Sequence, residues 1–147
     1  MKVLGIDTSG YANAVGIVDG EQVLADFIFE AKADSLEKII TNIDSTLKGA
    51  SLTLADIRGF GVGLGPGSWT GIRIGVTVGK ILAYSTGKPV FGIPTLEALA
   101  NSAGDKSALI CSVIHAGTKD TVYAAFYNPG NDTLSRVGEY YVGDMEG

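Results

Sequence analysis

The residues best equipped for chemistry fall in two short runs. Asp7, Thr8 and Ser9 close a mostly apolar stretch at 3–6. A carboxylate at a strand end followed by two hydroxyls either helps to cradle a phosphate or satisfies the backbone of its own turn. The second run is GPGSWTG at 65–71. Gly65, Gly67 and Gly71 permit backbone conformations closed to other residues, Ser68 and Thr70 offer hydroxyls to the first turn of a following helix, and Arg73 lies just inside it. Such a helix start attracts anions. The plainer reading is a capped strand-to-helix turn in which a partly exposed Trp69 packs, and both readings stay open. Two familiar phosphate signatures fail: no window of 59–71 fits G-x-G-x-x-G, and GVTVGK at 75–80 has three residues between its glycines instead of four, with Ile81 where Ser or Thr is needed.

Other catalytic constellations are sparse. One histidine and one cysteine fall short of the usual zinc set. Cys111 and His115, four apart on a strand, would stand roughly 13 Å apart, beyond nucleophile-base contact. Cys111, near Ile110 and Val113, reads as a buried packing residue, and His115 as a turn or surface residue. We expect no catalytic and no metal-ligating residue.

Periodicity supplies the elements that must position these groups. Strands are expected at 2–7, 13–18 and 22–29, the last two joined by the hairpin signal Asp19-Gly20. Helical spacing of Leu36, Ile39, Ile40, Ile43 and Leu47 predicts a helix over 34–48, capped by Asp34 or Ser35 and ended by Gly49. Strand 58–64 carries glycine at 59, 61 and 63 on one face, which something must approach closely. A helix over 72–85 follows despite its β-branched content, then a strand at 90–93 and a helix at 95–102. Strands at 107–114, 121–127 and 134–142 repeat the element order of 2–29. Residues 1–104 therefore form one lobe and 105–147 the start of a second, incomplete lobe of three strands. Gly71, Gly75, Gly79 and Ala83 recur every four residues, a smooth stripe that fits either the 34–48 helix or a partner chain.

Composition narrows the class. The 147 residues are 46% hydrophobic and 18% charged, too apolar for a disordered or coiled-coil chain. A formal net charge of −5 with eleven scattered basic residues argues against an unaided grip on nucleic acid. The charge-free stretch 59–72 is too short to span a bilayer and the N-terminal apolar run too short for a signal peptide, so a cytoplasmic protein without membrane contact is expected.

Tandem β-β-β-α-β-α order is the plan of the actin, sugar-kinase and chaperone-ATPase superfamily. The expected fold class is α/β: an actin-like (ASKHA, ribonuclease H-like) lobe with a mixed sheet flanked by helices, plus the incomplete second lobe. VLGIDTS at 3–9, GVGLGPGSWTGIRIGVTVGKILA at 61–83, GIPTLEALA at 92–100 and, more weakly, VIHAGTKDTVYAAFY at 113–127 resemble the TsaB (YeaZ) family, a subunit of the bacterial machinery that makes threonylcarbamoyladenosine in transfer RNA. His115 replaces the family's usual acidic residue, Thr118 and Lys119 alter that turn, and Asp34 stands near the place of a usual histidine. The resemblance implies a non-catalytic scaffold that pairs with a TsaD-like transferase through the 34–48 and 72–85 helices. The implied interface is Leu36, Ile39, Ile40, Ile43, Gly71, Gly75, Gly79 and Ala83. It further implies a TsaE-like ATPase joining the pair, a homodimer when the partner is absent, and transfer RNA reached only through the complex. No cofactor is expected beyond weak nucleotide binding, for which the residue types offer Asp7, Thr8, Ser9, Gly65, Gly67, Ser68, Thr70 and Arg73. The competing readings are a nucleotide-binding phosphotransferase using Asp7 and the 65–71 loop, and a peptidase. The scaffold reading requires the apolar and the small-residue helix surfaces to be turned outward.

Overall fold

The computed structural model describes residues 1–30, 35–104, 107–117, 120–130 and 133–144, the side chains of 35–37 excepted. Among them run β1 (Lys2–Asp7), β2 (Ala12–Asp19), β3 (Gln22–Glu30), α1 (Ser35–Gly49), β4 (Gly59–Gly63), α2 (Trp69–Thr86), β5 (Val90–Ile93), α3 (Thr95–Asn101), β6 (Ile110–His115), β7 (Thr121–Pro129) and β8 (Leu134–Asp144). The order is the one periodicity predicts. Asp34, a candidate cap, and the side chain of Leu36 lie outside the described residues.

The chain divides into two units, and the first comprises Met1–Leu64 and Ser68–Gly92. Its five-stranded sheet has the order β3-β2-β1-β4-β5. β1 is antiparallel to β2 and parallel to β4, so the sheet is mixed. Hairpins join the first strands, and Gly20 supplies the left-handed φ of 62° that the Asp19-Gly20 turn needs. The parallel step to β4 requires a crossover, which α1 provides. Register brings Leu4 opposite Ile17 and Ile6 opposite Val15, so one sheet face is apolar. Ile39, Ile43 and Leu47 of α1 and Val78 and Ala83 of α2 close over it.

Two expectations are corrected here. Ile39 and Ile43 are 0% and 4% exposed and belong to this core, so a partner cannot reach them; of the described α1 residues in the implied interface only Ile40 points outward. Nor does the small-residue stripe meet α1 or a second chain. A Cβ on Gly79 would stand 2.2 Å from Val62 Cγ1, on Gly75 2.5 Å from Thr8 Oγ1 and on Gly71 1.8 Å from the Thr8 carbonyl oxygen. Glycine there lets α2 lie against β1 and β4 of its own sheet. Close approach to the glycine face of β4 occurs at Gly63, where a Cβ would come within 2.6 Å of the Asp7 carboxylate; α2 packs over Val62, on the other face.

The second unit comprises Gly65–Gly67 and Ile93–Gly147. Its antiparallel sheet has the order β6-β7-β8. Leu96 and Ala100 of α3 are buried with Ala125 and Tyr127 of β7. The boundary therefore falls at 92/93 instead of after 104, because the apolar side of α3 is spent on this sheet. Cys111 is exposed, not buried. Strand alternation turns it, with its partner Phe126, to the face opposite Ile110 and Ile114. His115 is exposed, and its Nδ1 accepts a hydrogen bond from the Gly117 amide at 3.1 Å, as a turn residue would.

Candidate functional site

The end of β1 and the start of α2 meet within the first unit. Asp7 Oδ1 accepts hydrogen bonds from the Ser9 amide at 2.8 Å and the Ser9 hydroxyl at 2.6 Å. This is the local bonding that lets Asp shape a turn. The Thr8 hydroxyl donates to the Gly71 carbonyl at 2.6 Å, and the Ser68 amide donates to the Ser9 carbonyl at 2.6 Å. Ser68 is the N-cap of α2, its Oγ accepting from the Gly71 amide at 3.2 Å. The hairpin turn and the helix start thus form one laced unit, with Thr8 and Ser9 buried and Ser68, Trp69, Thr70 and Arg73 exposed.

Chemically, these groups turn toward one another. The hydroxyls and the carboxylate that would cradle a phosphate hold the turn against the helix, and Gly71 and Gly75 remove the side-chain bulk that would keep them apart. The structure brings together Asp7, Thr8, Ser9, Ser68 and Gly71. It does not add Gly65 and Gly67, which belong to the second unit, where the Gly65 amide donates to Thr95 Oγ1 and the Gly65 carbonyl accepts from the Thr95 amide. Thr70 and Arg73 stand exposed in the first turns of α2, outside the lacing. Among the described residues, no group of three or more His, Cys, Asp or Glu is placed to hold a metal ion, and no helix is long and apolar enough to cross a membrane.

Of the outward face of the helices, the sequence reading named Ile40 and missed Ile81 and Tyr84. On α2, Ile81 is 60% and Tyr84 92% exposed, and on α1 Ile40 is 54% exposed. The available signal was the glycine stripe itself, because a helix with one side committed to packing leaves its large apolar residues on the other.

An α/β lobe with this sheet order, whose first hairpin turn nests on a helix start, is of the actin-like class. A family model described as "tRNA N6-adenosine threonylcarbamoyltransferase", TsaD, matches residues 27–145. The chain belongs to that family, and the relatives it is similar to include proteins named TsaB. It is 32% identical over 137 residues to the tRNA threonylcarbamoyladenosine biosynthesis protein TsaB of Bacillus subtilis, covering 93% of this chain and 59% of the relative. The chain therefore spans somewhat over half the length of that protein. YeaZ from Pseudomonas aeruginosa superposes with a TM-score of 0.84 at 24% identity, covering 96% of this chain and 66% of the other. A ROK hexokinase from Thermus thermophilus, with a TM-score of 0.57 at 21% identity over 92% of this chain and 49% of its own, carries the actin-like likeness beyond the family.

Proposed function

We propose that the chain acts in the formation of threonylcarbamoyladenosine in transfer RNA as a non-catalytic subunit that pairs with a TsaD-like transferase. The observation that carries this reading is the apolar outward face at Ile40, Ile81 and Tyr84, on a chain whose relative is named for this biosynthesis. Large exposed apolar residues gathered on two helices suit a protein partner. The two surfaces that the scaffold reading required to be turned outward are packed inside the unit, apart from Ile40, so the pairing is moved to the outer side of α1 and α2. A TsaE-like ATPase joins the assembled pair, transfer RNA is held mainly by the partner subunits, and self-association through the same face occurs when the transferase is absent. Its site of action is the cytoplasm.

The laced turn argues against a phosphotransferase, because Asp7, Thr8, Ser9 and Ser68 already engage one another. Calorimetry with ATP and magnesium should show no binding by the chain alone; micromolar binding without a partner would favour the phosphotransferase. A companion experiment mixes the chain with a TsaD homologue. Co-elution on size-exclusion chromatography, with transferase activity raised by the chain and absent from the chain alone, is the expected outcome. Separate elution and an unchanged rate would contradict the proposal.

A further inference from the structure

The chain passes between its two units at 64/65, 67/68 and 92/93, and every junction has a glycine on one side: Gly65, Gly67 and Gly92. The strap between the first two junctions is fastened at both ends. Toward the second unit, the Gly65 amide donates to Thr95 Oγ1 at 3.1 Å and the Thr95 amide donates to the Gly65 carbonyl at 2.9 Å. The first residue of α3 thus holds Gly65 by two bonds. Toward the first unit, the Ser68 amide donates to the Ser9 carbonyl at 2.6 Å and Ser68 Oγ caps α2. Pro66 and Gly67 lie between these fastenings. The pyrrolidine ring fixes φ at Pro66, so torsional freedom in the strap gathers at Gly67, whose φ of 154° is one that residues with a side chain rarely adopt. The 92/93 junction is built in the same way. Pro94 is the N-cap of α3, and a residue before proline is held to extended conformations. Ile93 is therefore restricted, and Gly92 is the residue left able to turn.

We propose that Gly67 and Gly92 are the two pivots of a hinge about which the units reorient, with Thr95 the clasp that makes residues 65–67 travel with the second unit. Motion between domains is absorbed by a few dihedrals at loops or element ends. Gly67 precedes α2 by two residues, and Gly92 is the last but one residue of β5. The fastenings keep the change from spreading into the sheets. Ser68 stays bonded to the hairpin turn of the first unit and Gly65 to α3 of the second, so each unit turns as a body with its buried cluster intact. Because half of the clasp is a side-chain hydroxyl, its loss lengthens the free strap, and rotation is then no longer confined to Gly67.

The test measures a distance distribution by double electron–electron resonance between spin labels on the two units. One label sits on Cys111, the single cysteine, exposed in the second unit. The other sits on Lys80→Cys, an exposed position of α2 in the first. This labelled parent chain should give a broad distribution. Gly67→Ala and Gly92→Ala should each narrow it about twofold by removing dihedral freedom, whereas Gly20→Ala, in a hairpin turn away from the junctions, leaves it unchanged. If Gly67→Ala lowers the melting temperature, Gly92→Ala decides alone, since the nearest atom to its added methyl is the flexible end of Leu64. Thr95→Val should broaden the distribution further, and Thr95→Ser, which keeps the hydroxyl, should restore the parent width. A single narrow distance in the parent chain, or a width that neither glycine substitution alters, overturns the hinge. Equal widths for Thr95→Val and Thr95→Ser overturn the clasp.

Discussion

The two units face the same problem, covering one side of a β-sheet, with unequal means. In the first, α1 and α2 lie over five strands, and α2 comes so close that glycine is obligatory where it meets β1 and β4. In the second, a seven-residue helix covers three strands, and the buried cluster is Leu96, Ala100, Ala125 and Tyr127. The opposite sheet face leaves Val113, Phe126 and Tyr141 more than 40% exposed. A repeated element order has thus not repeated the packing. The first unit is expected to hold most of the stability and the second to open first.

The largest effect expected on this contrast comes from Gly71→Ala. Its added methyl would lie 1.8 Å from a backbone oxygen of the hairpin turn, which cannot swing aside, so a cost of about 4 kcal/mol is expected, read as loss of cooperative unfolding of the first unit. Gly75→Leu or Gly79→Leu would abolish pairing by the same internal clash, and so cannot map an interface. Next in size is Leu96→Ala, which removes a fully buried side chain from the small cluster at a cost of about 3 kcal/mol. Hydrogen exchange should then show β6–β8 unprotected while β1–β4 stay protected; equal loss in both units would break the comparison.

A smaller, pH-dependent effect sharpens it. Burial, reinforced by nearby Tyr140 and Glu97, pushes the Tyr127 hydroxyl up to about 12. A phenol raised above its unfolded value of about 10 contributes stability that is complete below that pH and lost as pH rises through 12. Protection of the second unit should therefore fall across that window, and Tyr127→Phe should flatten the dependence. The smallest change is Ser68→Ala, which deletes the N-cap bond to Gly71 and should cost about 1 kcal/mol, confined to the first unit.

Much of this was legible from residue order because the signals are local. Strand alternation, the Asp19-Gly20 turn, the α1 spacing and the Ser68 cap each depend on neighbours in sequence. The failures were choices of partner in space. Four-residue spacing of Gly71, Gly75, Gly79 and Ala83 says that something comes close, but β1 and β4, with Val62 and Thr8 as the contacts, carry no mark of it. Leu96 and Ala100 would fit either sheet, so α3 was assigned to the wrong unit. Cys111 was judged by Ile110 and Val113, but Ile110 lies on the other strand face and Val113, which shares its own, is itself exposed. The polar turn was correctly located, and the direction of its hydroxyls, inward, was beyond what residue types could state.

The central claim is that α1 and α2 spend one side on their own sheet and offer the other to a transferase subunit. The most direct measurement is calorimetric titration of a TsaD homologue with the wild-type chain and with the Ile81→Asp, Tyr84→Asp double variant, both positions being exposed. The account predicts an unchanged melting temperature with binding weakened at least tenfold. Full affinity in the double variant would contradict it.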